Sequence, residues 1–80
     1  MAISQIMSPL PGVFYRRPSP DSPFFKEDGE SVAASDVIGL IEVMKSFHEV
    51  NAGIGGSNIR FLVDDGDAVM AGQVLAEVEA

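Results

Sequence analysis

The sequence predicts an all-β fold, a flattened barrel or sandwich with quasi-two-fold symmetry. Three observations carry that expectation. Eight glycines and five prolines punctuate 80 residues, so no segment offers three clean turns of helical periodicity. The apolar runs between them are short and rich in Val, Ile and Phe, as strands are. The third is an internal repeat. "FKEDGESVAASDVIGLIE" (25–42) aligns without gaps on "LVDDGDAVMAGQVLAEVE" (62–79) at an offset of 37.

Composition narrows the class further. Twelve carboxylates stand against five basic residues, a net charge of −7 that repels phosphate backbones. There is no cysteine, so disulfides and thiolate metal sites are excluded. No apolar run approaches the roughly 20 residues of a membrane-spanning helix. The opening "MAISQIMSPL" lacks a basic region followed by a long apolar one, so a cytoplasmic protein is expected. One domain over residues 1–80 accounts for the length.

In chain order, "SPLPGVFY" ends a loop at Gly12 and enters a first strand, "GVFY". From Gly12 to Gly29 is 17 residues, and from the matching Gly56 to Gly66 is 10. The first half therefore holds seven additional residues. "RRPSPDSPFF" absorbs them. With three of the five prolines it cannot be a central strand, and it reads as a protrusion between strands. "EDGE" is an acidic turn whose Gly29 suits positive φ. "VIGLIEV" is a strand with Val37, Gly39 and Ile41 expected on one face by alternation. The chain is expected to leave it near Val43 and to resume near His48, placing Lys45 at a hairpin tip. "AGIGG" is a turn; with no helix after it, it is no phosphate cradle. "IRFLV" is a strand, "DDGDAV" repeats the acidic turn, and "VLAEV" repeats the long strand, with Val74, Ala76 and Val78 on one face. The repeat predicts the chain ends near one end of the molecule and Lys45 at the other.

Four stretches resemble the biotinyl/lipoyl carrier family, and they cover nearly the whole chain from Ser8 to Glu79. "EVMKS" (42–46) is similar to the family's Ala-Met-Lys-Met signature; Met44 and Lys45 match, Val43 and Ser46 do not. "SPLPGVFYRRPSPDSPFF" resembles the opening strand and protruding thumb of carriers from bacterial acetyl-CoA carboxylases. "EDGESV" and "DDGDAVMAGQVLAEVE" resemble the fold's repeat. Two further departures are Ser35, where a turn glycine is usual, and Asn58, where an apolar residue is usual; the long N-terminal extension of many such carriers is expected to be dispensable here or supplied by a partner.

The resemblance implies two four-stranded sheets with the modified lysine on a hairpin tip. It implies biotin joined by an amide to Lys45, placed there by a biotin protein ligase that reads Met44, with Val43, Ser46 and Glu42 around it. Val43 and Phe47 are also expected to pack. A solvated lysine amine is protonated at neutral pH, so the ligase must assist its deprotonation. The implied cycle has a biotin carboxylase load the ureido nitrogen from ATP and bicarbonate, and a carboxyltransferase unload it, as in fatty acid synthesis. The domain itself is then a non-catalytic tether that raises the local concentration of its cofactor. Pro18, Ser19, Pro20, Asp21, Ser22 and Pro23 form the thumb expected to touch biotin; the bland alternative is a connecting loop.

Other readings stay open at this level. The same chemistry serves a carrier for another acyl-CoA or amide acceptor. A lipoyl carrier is the nearest relative, although lipoyl signatures place an acidic residue directly before the lysine, where Met44 stands. An unmodified interaction module is the third. Lys26 lies outside any such hairpin and is expected to be an ordinary surface lysine. His48, the only histidine, has no ligand cluster around it and is expected on a strand surface.

Overall fold

The computed structural model describes residues 2–80. Among these residues seven strands are ordered β1 (Ile3–Met7), β2 (Gly12–Tyr15), β3 (Val37–Val43), β4 (Ser46–Asn51), β5 (Ser57–Phe61), β6 (Asp67–Val69) and β7 (Val74–Glu79). They form two antiparallel sheets, β1-β7-β5 and β4-β3-β2-β6. Among the described residues no helix is long and apolar enough to cross a membrane.

The repeat is visible in the pairing. Gly39 lies opposite Val50 on β4, and its mate Ala76 lies opposite Ile6 on β1. Glu42 opposite Phe47 is answered by Glu79 opposite Ile3. The chain ends, joined by an Ala80 N–H donated to the Ala2 carbonyl, thus occupy the place in one sheet that the β3–β4 turn occupies in the other. The acidic turns are clipped alike. Gly29 N–H bonds the Ile59 carbonyl and Gly66 N–H the Phe14 carbonyl, at 2.8 and 2.7 Å. Asp28 accepts from the Phe61 N–H and Asp65 from the Arg16 N–H. Gly29 and Gly66 take φ of 94° and 91°, as their turns require.

One core unites both halves. Phe14, Ile38, Ile41, Ile59, Leu75 and Val78 are its largest fully buried side chains, and Ile6, Val32, Val50, Ala52, Val69 and Ala76 complete it. The face expected from strict alternation is corrected here. The register shifts between Val37 and Gly39, and equally between Met7 and Ile6 where they face β7, leave Ile38 and Leu75 as bulge residues. A bulge turns two successive side chains to one side. Ile38 and Gly39 are therefore both buried, as are Leu75 and Ala76, while Val37 and Val74 are only half-buried.

Three other differences have local causes. β1 is a full edge strand, though "ISQIM" carries few strand-forming residues; its inward Ile6 and its pairing with β7 hold it. β5 runs over 57–61 rather than 59–63. Each sheet was expected to have four strands, and the eighth is reduced to a single bridge, Val32 opposite Gly56. That bridge answers Val69 opposite Gly12 in the other half, where pairing continues for two more residues. Beyond the Val32–Gly56 bridge Asn58 interrupts it with φ of 53°, a left-handed residue inserted before Ile59 takes the core position. Asn tolerates that conformation better than an apolar residue does. Its side chain donates to Glu79 Oε2 at 2.7 Å.

Candidate functional site: the β3–β4 turn and the adjoining groove

Val43 pairs with Ser46, so Met44 and Lys45 alone make the turn. It is tighter than the sequence predicts, β4 resuming at Ser46 rather than near His48. Both turn residues have positive φ, 49° and 67°. This is the signature of the type I′ hairpin turn, whose twist matches that of the strands and which normally uses Asn-Gly. A non-glycine residue in the left-handed region costs on the order of 1 kcal/mol. The chain holds two such residues in succession at the one turn where its sequence has Met-Lys.

The turn projects both side chains into solvent; Met44 is 93% exposed. Lys45 has no hydrogen-bond or ion-pair partner among the described residues. Lys26 differs in kind. Its Nζ donates to the Ser31 carbonyl at 3.2 Å and lies 3.3 Å from Asp36 Oδ2. The Ala33 N–H, and then Lys26, hold the Asp36 carboxyl below its ordinary range. Lys26 is thus part of a turn clasp, and Lys45 is the lysine presented on a rigid edge.

Beside the turn, the outer face of β2-β3-β4 carries Tyr15, Glu42 and Phe47. The Tyr15 hydroxyl donates to Glu42 Oε1 at 3.0 Å, and that bonded carboxylate holds the phenol above its usual value. The Tyr15 and Phe47 rings lie 6.4 Å apart, tilted at 49°. Phe47, expected to pack, is 59% exposed, because it sits on the outer face against Tyr15 rather than in the core. Val43 does pack against the core.

The protrusion from β2 is closed by the Phe25 N–H donating to the Arg16 carbonyl at 2.8 Å. Its tip is a turn in which Ser22 N–H bonds the Ser19 carbonyl and the two hydroxyls meet at 2.9 Å. Its base is fixed by the Arg16 guanidinium, whose carbon lies 4.2 Å from the Phe24 ring centroid and 4.0 Å from that of Phe61. Arg17 Nε lies 3.4 Å from Asp65 Oδ2.

An open groove of about 250 Å³ runs between protrusion and turn face. Tyr15, Phe47, Pro18 and Pro20 give it apolar walls, and Arg17, Ser19 and Asp65 give it polar groups. Of the residues expected in the thumb, Pro18, Ser19 and Pro20 line this groove, while Asp21, Ser22 and Pro23 do not. Tyr15, Arg17 and Asp65 went unassigned in the sequence. The signal for Tyr15 was alternation, since Phe14 points inward and its neighbour must point out. For Asp65 there was none, because it comes from the other half.

Ser46, Glu42 and Met44 surround Lys45 in the chain, Ser46 exposed and Glu42 half-buried. His48 is an exposed residue of β4, and no three His, Cys, Asp or Glu side chains among the described residues gather as a metal site. In "GIGG", Gly53 turns with φ of 73° and Gly56 makes the bridge to Val32.

Comparison with known proteins agrees with this geometry. A family model described as biotin-requiring enzyme matches residues 4–57, which include the turn. Among similar proteins is one from Chlamydia pneumoniae, 40% identical over 73 residues, covering 91% of this chain and 44% of the relative. Another, from Pyropia yezoensis, is 42% identical over 74 residues, covering 92% and 47%. A third, from Haemophilus influenzae, is 36% identical over 74 residues, covering 92% and 48%. Each is described as the biotin carboxyl carrier protein of acetyl-CoA carboxylase. The chain spans less than half the length of these curated relatives.

Proposed function

The chain belongs to the biotinyl/lipoyl family of biotin-requiring enzymes, and from that premise we propose that residues 1–80 are a biotin carboxyl carrier domain with biotin on Lys45. The observation that carries the assignment is the β3–β4 turn. It places one unpartnered amine at the tip of a rigid two-residue hairpin, while the chain's other lysine is engaged in a turn. A rigid edge presents an amine to an acylating enzyme with less ordering cost than a mobile loop does.

The groove suits the group to be carried. Biotin has a fused ring system with an apolar thioether edge and a polar urea edge. Tyr15, Phe47, Pro18 and Pro20 can cover the first, and the Arg17 guanidinium and Ser19 hydroxyl can donate to the second. When bound, biotin supplies a ureido nitrogen that accepts a carboxyl group in one active site and yields it in another. The chain's own residues tether and orient. Tethering keeps the arm at high local concentration near both sites without tight binding at either. We read the partners as a biotin carboxylase, a carboxyltransferase and a biotin protein ligase. The relatives' descriptions favour acetyl-CoA as acceptor.

The test is co-expression with a biotin protein ligase, read by intact mass. One biotinyl increment is expected, and Lys45→Arg abolishes it while Lys26→Arg does not. Biotin on Lys26, or a lipoyl increment in place of the biotinyl one, overturns the assignment.

A further inference from the structure

Tyr15 belongs to β2, outside the hairpin, yet its hydroxyl reaches the hairpin's own carboxylate. The bond to Glu42 Oε1, 3.0 Å long, spans 27 residues of sequence. Phe47, directly opposite Glu42 in register, lays its ring against Tyr15. Glu42 is therefore held by a hydroxyl from β2 and flanked by an aromatic pair. It is also the carboxylate nearest Lys45 in the chain, three residues before it. A mobile carboxylate so close in the chain is free to pair with the ammonium, and pairing would tie down the amine. Here the carboxylate is bonded to Tyr15, and Lys45 has no ion-pair partner among the described residues.

We propose that Tyr15 is a positioning residue for acylation of Lys45: its hydroxyl holds Glu42 against the sheet, which leaves the lysine amine unpaired and presents the carboxylate to the ligase in one place. This rests on Lys45 being the biotin attachment site. Losing the hydroxyl frees the Glu42 side chain. The ligase must then order it, or separate it from Lys45, each time it binds, so the cost falls on recognition rather than on the acyl-transfer step.

The experiment is steady-state biotinylation of the unmodified carrier by a biotin protein ligase, with KM for the carrier and kcat measured separately. Tyr15→Phe keeps the ring and removes the bond. It is expected to raise KM about three- to tenfold, as loss of one part-exposed hydrogen bond does, and to leave kcat within about twofold. Because Tyr15 acts through Glu42, adding Tyr15→Phe to Glu42→Ala, which removes the acceptor, produces no further rise. Glu42→Asp keeps the charge, draws the carboxylate back from the hydroxyl, and is expected to reproduce the KM of Tyr15→Phe. Wild-type KM in Tyr15→Phe overturns the inference. So does wild-type KM in Glu42→Asp if Tyr15→Phe melts below the assay temperature. So does an equal rise from Tyr15→Phe with and without Glu42→Ala. If the wild-type chain takes no biotin, the parent assignment fails too; if it is biotinylated and indifferent to these changes, only the role of Tyr15 fails.

Discussion

In the turn Met70–Gln73 the Gly72 N–H donates to the Ser8 carbonyl at 2.8 Å. In the matching turn Ala33–Asp36 the same central peptide faces the other way, its Ala34 carbonyl accepting from the Gly53 N–H at 2.8 Å. The partner residues explain the reversal. Gly53 has an N–H to give, while the residue that follows Ser8 is Pro9, which has none. With no donor there, the central peptide of the second turn turns its N–H toward the Ser8 carbonyl. That is the type II arrangement and it demands positive φ at the third position, where Gly72 has 84°. Ser35, its mate, is not among the residues of positive φ and tolerates a side chain. The departure at Ser35 is thus a change of turn type, dictated by a proline outside the repeat. Gly72→Ser should lower stability by about 1–2 kcal/mol in a urea titration, although space around its Cβ is open. Gly72→Asn should lose less than half as much, because Asn tolerates the left-handed region. Equal losses for the two would refute the argument from φ.

At the level of the element, the β3–β4 turn sets stability against function. A type I′ turn built from Asn-Gly has no steric conflict, and Met-Lys has two. Met44→Asn should therefore stabilise the domain by about 0.5–1 kcal/mol, equivalent to a few degrees in thermal midpoint for a chain of this size. If Lys45 is the attachment site as proposed, it should also slow biotinylation, because it removes the exposed Met44 side chain beside the amine. A fall in midpoint would show that the turn is not strained. How far such elements can be read from sequence differs between them. β3 and β7 are legible because both carry long apolar runs and repeat each other. Their bulges are not, since Ile38 and Leu75 look like ordinary strand residues until register against β4 and β1 shows them as extra. β1 is hidden because its order comes from β7 rather than from its own composition. The position of Lys45 in a hairpin turn is legible through its place midway in the repeat. The groove beside it is not, because Tyr15, Phe47 and Asp65 come from three distant segments that only the two-sheet arrangement brings together.

At the scale of the whole molecule, the two repeats are not two folding units. β1 from the first half pairs with β7 of the second, and β6 from the second pairs with β2 of the first. Each sheet therefore takes strands from both repeats, and one core fills the space between them. Neither half can bury its apolar face without the other, so intermediates with one half folded are costly, and unfolding should be a single cooperative transition. The bulge residues give a matched pair of probes. Ile38 and Leu75 are repeat mates, one in each sheet, and both are fully buried. Ile38→Ala and Leu75→Ala should each cost about 2–5 kcal/mol. Either change should shift the melt equally whether it is followed by Tyr15 fluorescence, a reporter in the β2-β3-β4 sheet, or by amide exchange in β7. The calorimetric and van't Hoff enthalpies should agree for wild type and for each variant stable enough to melt above the baseline. If Leu75→Ala instead loosened β1, β7 and β5 while Tyr15 reported an unchanged midpoint, the sheets would be separable, and the turn bearing Lys45 would owe its rigidity to its own sheet alone.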